Sequence, residues 1–380
     1  MKKWILWVLG IIVVIIAAGI GGSYVWFQYT LKKSLPEIQG KMVLKGLKEE
    51  VRIVRDSFGV PHIYAANEQD LFFAFGYAVA QDRLWQMDFF RRLGQGRLSE
   101  IFGEKFIKAD GYFRMLTAPG VNREVPENLV PLFDAFAKGI TAYIETHSDR
   151  LPIEFRLLGY KPDPWKRDDY IAVLKVVNWG LSFGFRTDLT AGKILKRVGE
   201  ERMRELFPSW PRDGALIVTE GAKAVSLAAD LTREVMDTVQ KLALLPNGAA
   251  SNNWVVSGEK SATGKPILAN DPHLGLSNPS FWWEMDLNCP TIHVSGFAVP
   301  GVPGVPIGHN RHVAWGVTNV MVDDVDFYVE KINPDNPRQD WYKDHWEDMK
   351  VIKEIIQDFW EEQYASLMYL LLFLLLIGVF

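Results

Sequence analysis

The chain has 380 residues, of which 48% are hydrophobic and 23% charged, a globular balance with length enough for one large domain or two. Its net charge of -4 leaves no basic excess to neutralise phosphates, which argues against nucleic acid as a partner. A single cysteine, Cys289, excludes an intrachain disulfide framework and reads as a small buried hydrophobe. Aromatic residues reach 13%, with 14 Trp, which fits either large buried layers or an apolar substrate pocket.

Lys2 and Lys3 precede an apolar run from Trp4 to Ile20 that continues to Val25-Trp26-Phe27. A bilayer core takes roughly 20 apolar residues, whereas the apolar stretch of a signal peptide usually has about 7–15. Residues 1–27 therefore read as a membrane anchor, with a signal peptide cut near Ala17-Ala18-Gly19 as the alternative. Trp4, Trp7 and Trp26 fall near the ends of the span, where interfacial aromatics belong. Lys32 and Lys33 follow it, so the charge bias across the span is weak.

Leu35 to Lys48 reads as a linker, and Val51 to Ile63 as two short extended pieces around the Ser57-Phe58-Gly59 turn. Asn67-Glu68-Gln69-Asp70 can start a helix that reaches about Arg92, before Gly94 and Gly96. Val130 to Thr146 predicts a second helix, with Pro131 tolerated in its first turn. Asp168 to Leu181 and Leu189 to Leu206 predict two more, the last interrupted by glycines. Residues 28–220 thus form a mainly helical region. Leu227, Leu231, Val235, Val239 and Leu242 recur at helical spacing within a spacer at 221–250.

The pattern changes at Gly248-Ala249-Ala250-Ser251-Asn252-Asn253-Trp254. Trp254–Val256, Pro266–Ala269, Ile292–Phe297 and His312–Val317 read as strands, so 251–355 is sheet-rich. An ordinary polar turn before a strand would look the same as the Ser251 run. The chemical alternative is a cut before Ser251. That would give one residue a hydroxyl and a free α-amine able to serve as its base, since an α-amine titrates at about 7.7–8. Residues 356–380 end in an apolar tail, which is read as a membrane segment, a buried helix or out-of-frame translation.

Other motifs fail. Gly258 to Lys265 comes near a phosphate-binding loop, but the glycines are too far apart and Pro266 stands where Ser or Thr is needed. A G-x-S-x-G elbow and zinc-type His/Cys spacing are absent from the sequence.

Read in order, Arg55-Asp56, Gly59-Val60-Pro61-His62-Ile63, Gly76-Tyr77-Ala78, Gln81-Asp82-Arg83-Leu84, Gln86-Met87, Gly96-Arg97-Leu98 and Ser251-Asn252-Asn253-Trp254 form a specific series. It continues with Asn270-Asp271-Pro272-His273-Leu274, Pro300-Gly301-Val302-Pro303, Gly308-His309-Asn310, Ala314-Trp315-Gly316 and Asp323-Asp324-Val325-Asp326. The chain resembles the penicillin acylase (penicillin amidase) family of N-terminal nucleophile hydrolases over about residues 50 to 350. The resemblance implies an α+β fold, the αββα sandwich of those hydrolases, here incomplete.

It also implies roles. Ser251 would be the nucleophile, freed by self-cleavage behind Ala250. His273 stands where a Gln or His orients the nucleophile, with a turn-packing histidine as the bland alternative. Asn319 matches a position whose backbone N–H helps stabilise the oxyanion, while His309 and His312 read as structural. Asp323, Val325 and Asp326 match a calcium-binding segment, and Asp188 stands where the remote ligand is usually Glu. A solvated acidic turn is the alternative there.

Family members are much longer, and their later part supplies an Asn as second oxyanion donor. The expectation is therefore a truncated or frameshifted member, foreign after about Gln357 and poorly active alone. The implied substrate is a small acylated amine, such as a penicillin side chain or an acyl-homoserine lactone, with the body outside the membrane. His273 and Leu274 lean away from the Gln-containing penicillin G type. The rival readings are a non-catalytic membrane-associated remnant and an anchored binding protein.

Overall fold

The computed structural model describes residues 2–116, 125–182, 184–206, 250–319 and 330–357. The expected helix around Leu231 and the apolar tail after Gln357 lie outside the described residues.

Helix α1 (Lys2–Ser34) runs unbroken for 33 residues. It contains a window of mean hydropathy 2.4 that is wholly unburied, long and apolar enough to cross a membrane. β1 (Arg52–Arg55) and β2 (Pro61–Tyr64), the two expected extended pieces, form an antiparallel pair. Asp56 builds the turn between them, its carboxylate accepting from the N–H groups of Phe58 and Val60 at 2.8 and 2.9 Å.

α2 (Glu68–Gln95) is the central helix, and Asn67 caps it by accepting from the Asp70 N–H at 2.9 Å. It runs past the expected end at Arg92 and straight through Gly94. Close packing is the reason. A Cβ on Gly94 would sit 2.1 Å from the carbonyl oxygen of Ala172. Gly96, at φ +64, ends the helix instead.

The remaining helices are α3 (Ser99–Phe102), α4 (Ile107–Met115), α5 (Val130–Thr146), α6 (Ile153–Leu157), α7 (Asp169–Leu181) and α8 (Gly184–Leu206). α5 matches its expected range, and α7 starts one residue later than expected. α8 begins earlier than expected and is broken at Gly199.

After the boundary come β3 (Ala250–Val256), β4 (Ile267–His273), β5 (Trp283–Asn288), β6 (His293–Ala298), β7 (Ile307–His309), β8 (Ala314–Trp315), β9 (Gln339–Tyr342) and β10 (His345–Asp348). The strand expected over His312–Val317 shrinks to Ala314–Trp315. One six-stranded sheet has the order β1-β2-β5-β6-β7-β8, and β3-β4 and β10-β9 are separate hairpins. Within the large sheet β2 and β5 run parallel, with His62 opposite Asp286, and the other neighbours run antiparallel.

The architecture is mixed α+β. Phe75 of α2 stacks on Trp283 of β5 at 5.9 Å and meets Phe136 of α5 edge-on at 4.9 Å. The aromatic content therefore serves buried layers between helices and sheet. Cys289 is 4% exposed and packs in the same cluster.

Candidate active site

Ser251 is the second residue of β3, and the peptide bond before it lies within the strand. β4 pairs with it in antiparallel register, Ala250 opposite His273 and Ser251 opposite Pro272. Pro272 has no N–H to offer the ladder. The Ser251 carbonyl accepts instead from the Thr318 hydroxyl at 3.3 Å. The register thus sets His273 opposite the residue before the nucleophile candidate, and Thr318 brings the segment after β8 against Ser251.

His273 is about half exposed, and its Nε2 lies 3.2 Å from an Asp271 carboxylate oxygen. Residues two apart on a strand share a face, which is why this pair can form.

Asn270 joins the pieces. Its Nδ2 donates to the carbonyls of Asn252 and Val317, each at 3.0 Å. Its Oδ1 accepts from the Val317 N–H at 3.0 Å. One carboxamide thereby links β3, β4 and the segment leading to Asn319. Gly316 permits this approach, since a Cβ there would meet Asn270 Oδ1 at 2.7 Å.

Asn319 is half-buried, and its side chain donates to the Leu181 carbonyl at 2.8 Å. Leu181 ends α7, where the last carbonyls have no partner within the helix. The side chain of Asn319 therefore caps α7 and ties the helical layer to this segment. Asn270, Thr318 and Gly316 carry geometry that the sequence reading did not assign, although Asn270 and Gly316 lie inside motifs it singled out.

The hairpin itself is open. Trp254 and Val255 are 64% and 65% exposed. Adjacent strand residues point to opposite faces, so each face of β3 presents apolar surface.

The side chains expected to hold calcium lie outside the described residues. Asp323, Val325 and Asp326 lie outside the described residues. Asp188 lies on α8, and its side chain is likewise outside them. Among the described residues no cluster of three or more His, Cys, Asp or Glu side chains could hold a metal.

Sequence comparison gives the site its context. Acyl-homoserine lactone acylase QuiP of Pseudomonas aeruginosa is 34% identical over 324 residues, covering 83% of this chain and 38% of that protein. Penicillin acylase 2 proenzyme from a Pseudomonas species is 36% identical over 319 residues, covering 80% and 41%. A solved structure, thermostable penicillin G acylase from Alcaligenes faecalis, shares 27% identity over 45% of this chain and 96% of its own, with a TM-score of 0.34. The chain thus spans about two fifths of the length of these curated relatives. The penicillin amidase family pattern matches residues 50–361. That match takes in α2, the hairpin carrying Ser251 and His273, and the segment of Thr318 and Asn319, and it makes the chain a member of the penicillin amidase family.

Proposed function

We propose that this polypeptide is the precursor form of an amidohydrolase that opens linear acyl amides, with Ser251 as nucleophile. The observation that carries the proposal is the placement of the Ala250–Ser251 bond in β3, opposite His273 and Pro272, with Thr318 held on the Ser251 carbonyl. In the uncut chain the Ser251 nitrogen is an amide and cannot take a proton. The Ser251 hydroxyl first attacks the Ala250 carbonyl, breaking the C–N bond and leaving an ester. Breaking that C–N bond frees the amine of Ser251, and water then hydrolyses the ester, releasing the Ala250 carboxylate and restoring the Ser251 hydroxyl. The free amine then accepts the hydroxyl proton as the oxygen attacks a substrate amide. The substrate's amine leaves with a proton, and water releases the acid from the acyl-enzyme ester.

His273 in this scheme orients the Ser251 residue. The backbone N–H of Asn319 supplies one oxyanion contact, a type of interaction worth about 10²–10³ in rate. Relatives named for acyl-homoserine lactones and for penicillin frame the substrate class as a small acylated amine. An incomplete αββα sandwich, the domain limits at 28–220, 221–250, 251–355 and 356–380, and a single-pass anchor with the body outside the cytoplasm belong to the same proposal. So does calcium held by Asp188, Asp323, Val325 and Asp326, which metal analysis of the dialysed chain would check. No step above runs through it.

Because the chain covers 38% of its relative's length, the deciding test is cleavage rather than turnover. Intact-mass measurement of the purified chain should show a cut between Ala250 and Ser251 that Ser251→Ala abolishes. A folded wild-type chain that stays uncut would favour the non-catalytic readings.

A further inference from the structure

Beyond its apolar run, α1 continues as helix to Ser34, and its last turns are seated on the body. Thr30 is 1% exposed. Lys33 Nζ lies 3.2 Å from an Asp149 carboxylate oxygen. The chain that follows stays attached. Glu37 pairs with Arg150, and its carbonyl accepts from Gln81 Nε2 at 2.9 Å. The Tyr77 hydroxyl reaches the Met42 sulfur at 3.2 Å.

This end of α1 also carries exposed Tyr24, Trp26 and Tyr29, side chains that settle at the headgroup level of a bilayer. Lys33 comes one helical turn after Tyr29, about 6 Å along the axis. The headgroup layer on each side of a bilayer is roughly 5–8 Å thick. A bilayer around α1 therefore brings its headgroups up to Lys33 and to the Asp149 that pairs with it.

Asp149 is also one wall of a cavity of about 330 Å³. Leu151 and Phe155, 4% and 1% exposed, give it apolar surface beside Tyr160. Arg156 and Lys161 supply its cations, and Arg156 donates to the Asp149 carbonyl. The Asp149 carboxylate is already paired with Lys33. The charge left at the cavity is that of Arg156 and Lys161.

We propose that this cavity seats an anionic phospholipid, with the phosphate between Arg156 and Lys161 and the glycerol end against Leu151 and Phe155. The body is then held flush on the membrane by two contacts, α1 and the lipid. The proposal rests on reading α1 as a retained anchor.

The test uses the full chain in neutral detergent, titrated with dioctanoyl phosphatidylglycerol or dioctanoyl phosphatidylcholine and read by native mass spectrometry. A basic residue near an anionic lipid favours binding about fivefold, so two should give roughly a 25-fold preference for phosphatidylglycerol. Lys161→Gln, at an exposed position, should remove about fivefold of it, and adding Arg156→Gln should remove the rest. Equal binding of the two lipids overturns the proposal. So does a preference that survives both substitutions in a chain shown to be folded by circular dichroism. Intact mass reports separately whether residues 1–33 are retained. Their loss would remove the anchor reading, while the lipid titration still decides the cavity.

Discussion

Asn270 makes hydrogen bonds to partners 18 and 47 positions away in sequence. Each such bond contributes about 0.5–1.5 kcal/mol net. Asn270→Ala should therefore free the Val317 amide to exchange roughly tenfold faster, and it should slow cleavage at Ser251. Unchanged exchange at Val317 would show that the clamp does not hold this segment. Ser251 and His273 stand out in the sequence because they sit in an ordered series of short motifs, and Asn319 because it follows one of them closely. The work of Asn270 does not, because a carboxamide's distant partners leave no mark on local spacing. A second residue-scale case is Asp88, which is fully buried between Arg91 and Arg92. Burial alone would raise its pKa, but the two guanidiniums outweigh that and hold it below the ordinary aspartate value of 3.8. A lowered folded-state pKa gives stability that is present above the unfolded value and lost as pH falls through the folded one. Acid unfolding followed by circular dichroism should thus include a loss below about pH 3.8 that is absent in Asp88→Asn. That variant should already be weaker at neutral pH by about 3–5 kcal/mol, since it leaves buried cations uncompensated.

Helices α2 and α5 meet backbone to backbone. A Cβ at Gly139 would lie 1.9 Å from the Phe73 carbonyl oxygen, and one at Gly76 would lie 2.1 Å from that of Phe136. Overpacking costs typically 1–3 kcal/mol and sometimes more, while Gly→Ala inside a helix returns about 1 kcal/mol. Backbone on both sides cannot swing aside as a side chain would. Gly139→Ala should therefore lose about 2 kcal/mol or more net, read as a lower urea midpoint. Gly10→Ala in α1, where nothing lies within 4 Å, should not lower the midpoint, since only the helix-propensity gain remains. These contacts also explain what the sequence hid. Glycines read locally as helix breakers, so α2 was expected to stop before Gly94, whereas tertiary packing makes them the points of closest approach. β5 went unread for a different reason. Trp283-Glu284-Met285-Asp286-Leu287-Asn288 alternates apolar and polar, and its burial alternates with it. The flanking Asn278-Pro279 and Asn288-Cys289-Pro290 read as turns and shorten the window in which that alternation stands out.

At the scale of the whole molecule, the helical and sheet-rich parts interlock across the proposed cut. The β1-β2 hairpin belongs to the same sheet as β5 to β8. His62 Nδ1 lies 3.0 Å from an Asp286 carboxylate oxygen, and the Trp283 indole N–H donates to Asp82 at 2.9 Å. At the far end, the Ser99 hydroxyl donates to the Gln357 carbonyl at 2.7 Å and Arg114 pairs with Glu354 at 3.1 Å. The sequence showed two regions of different character, but no local pattern joins His62 to Asp286, 224 positions away. Cutting Ala250–Ser251 should therefore leave one particle. Denaturing gels should show two chains, while gel filtration with light scattering shows the uncut mass. If the chain does not cut itself, a specific protease site placed within 221–249 supplies the break. Mass action then gives a sharper readout. Once cut, unfolding releases two chains, so the denaturation midpoint must rise with protein concentration, whereas the uncut chain has no such dependence. Arg114→Ala removes one of the ties at the far end and should lower the midpoint of the cut form. Two chains that separate without denaturant would show that the shared sheet does not hold the halves together.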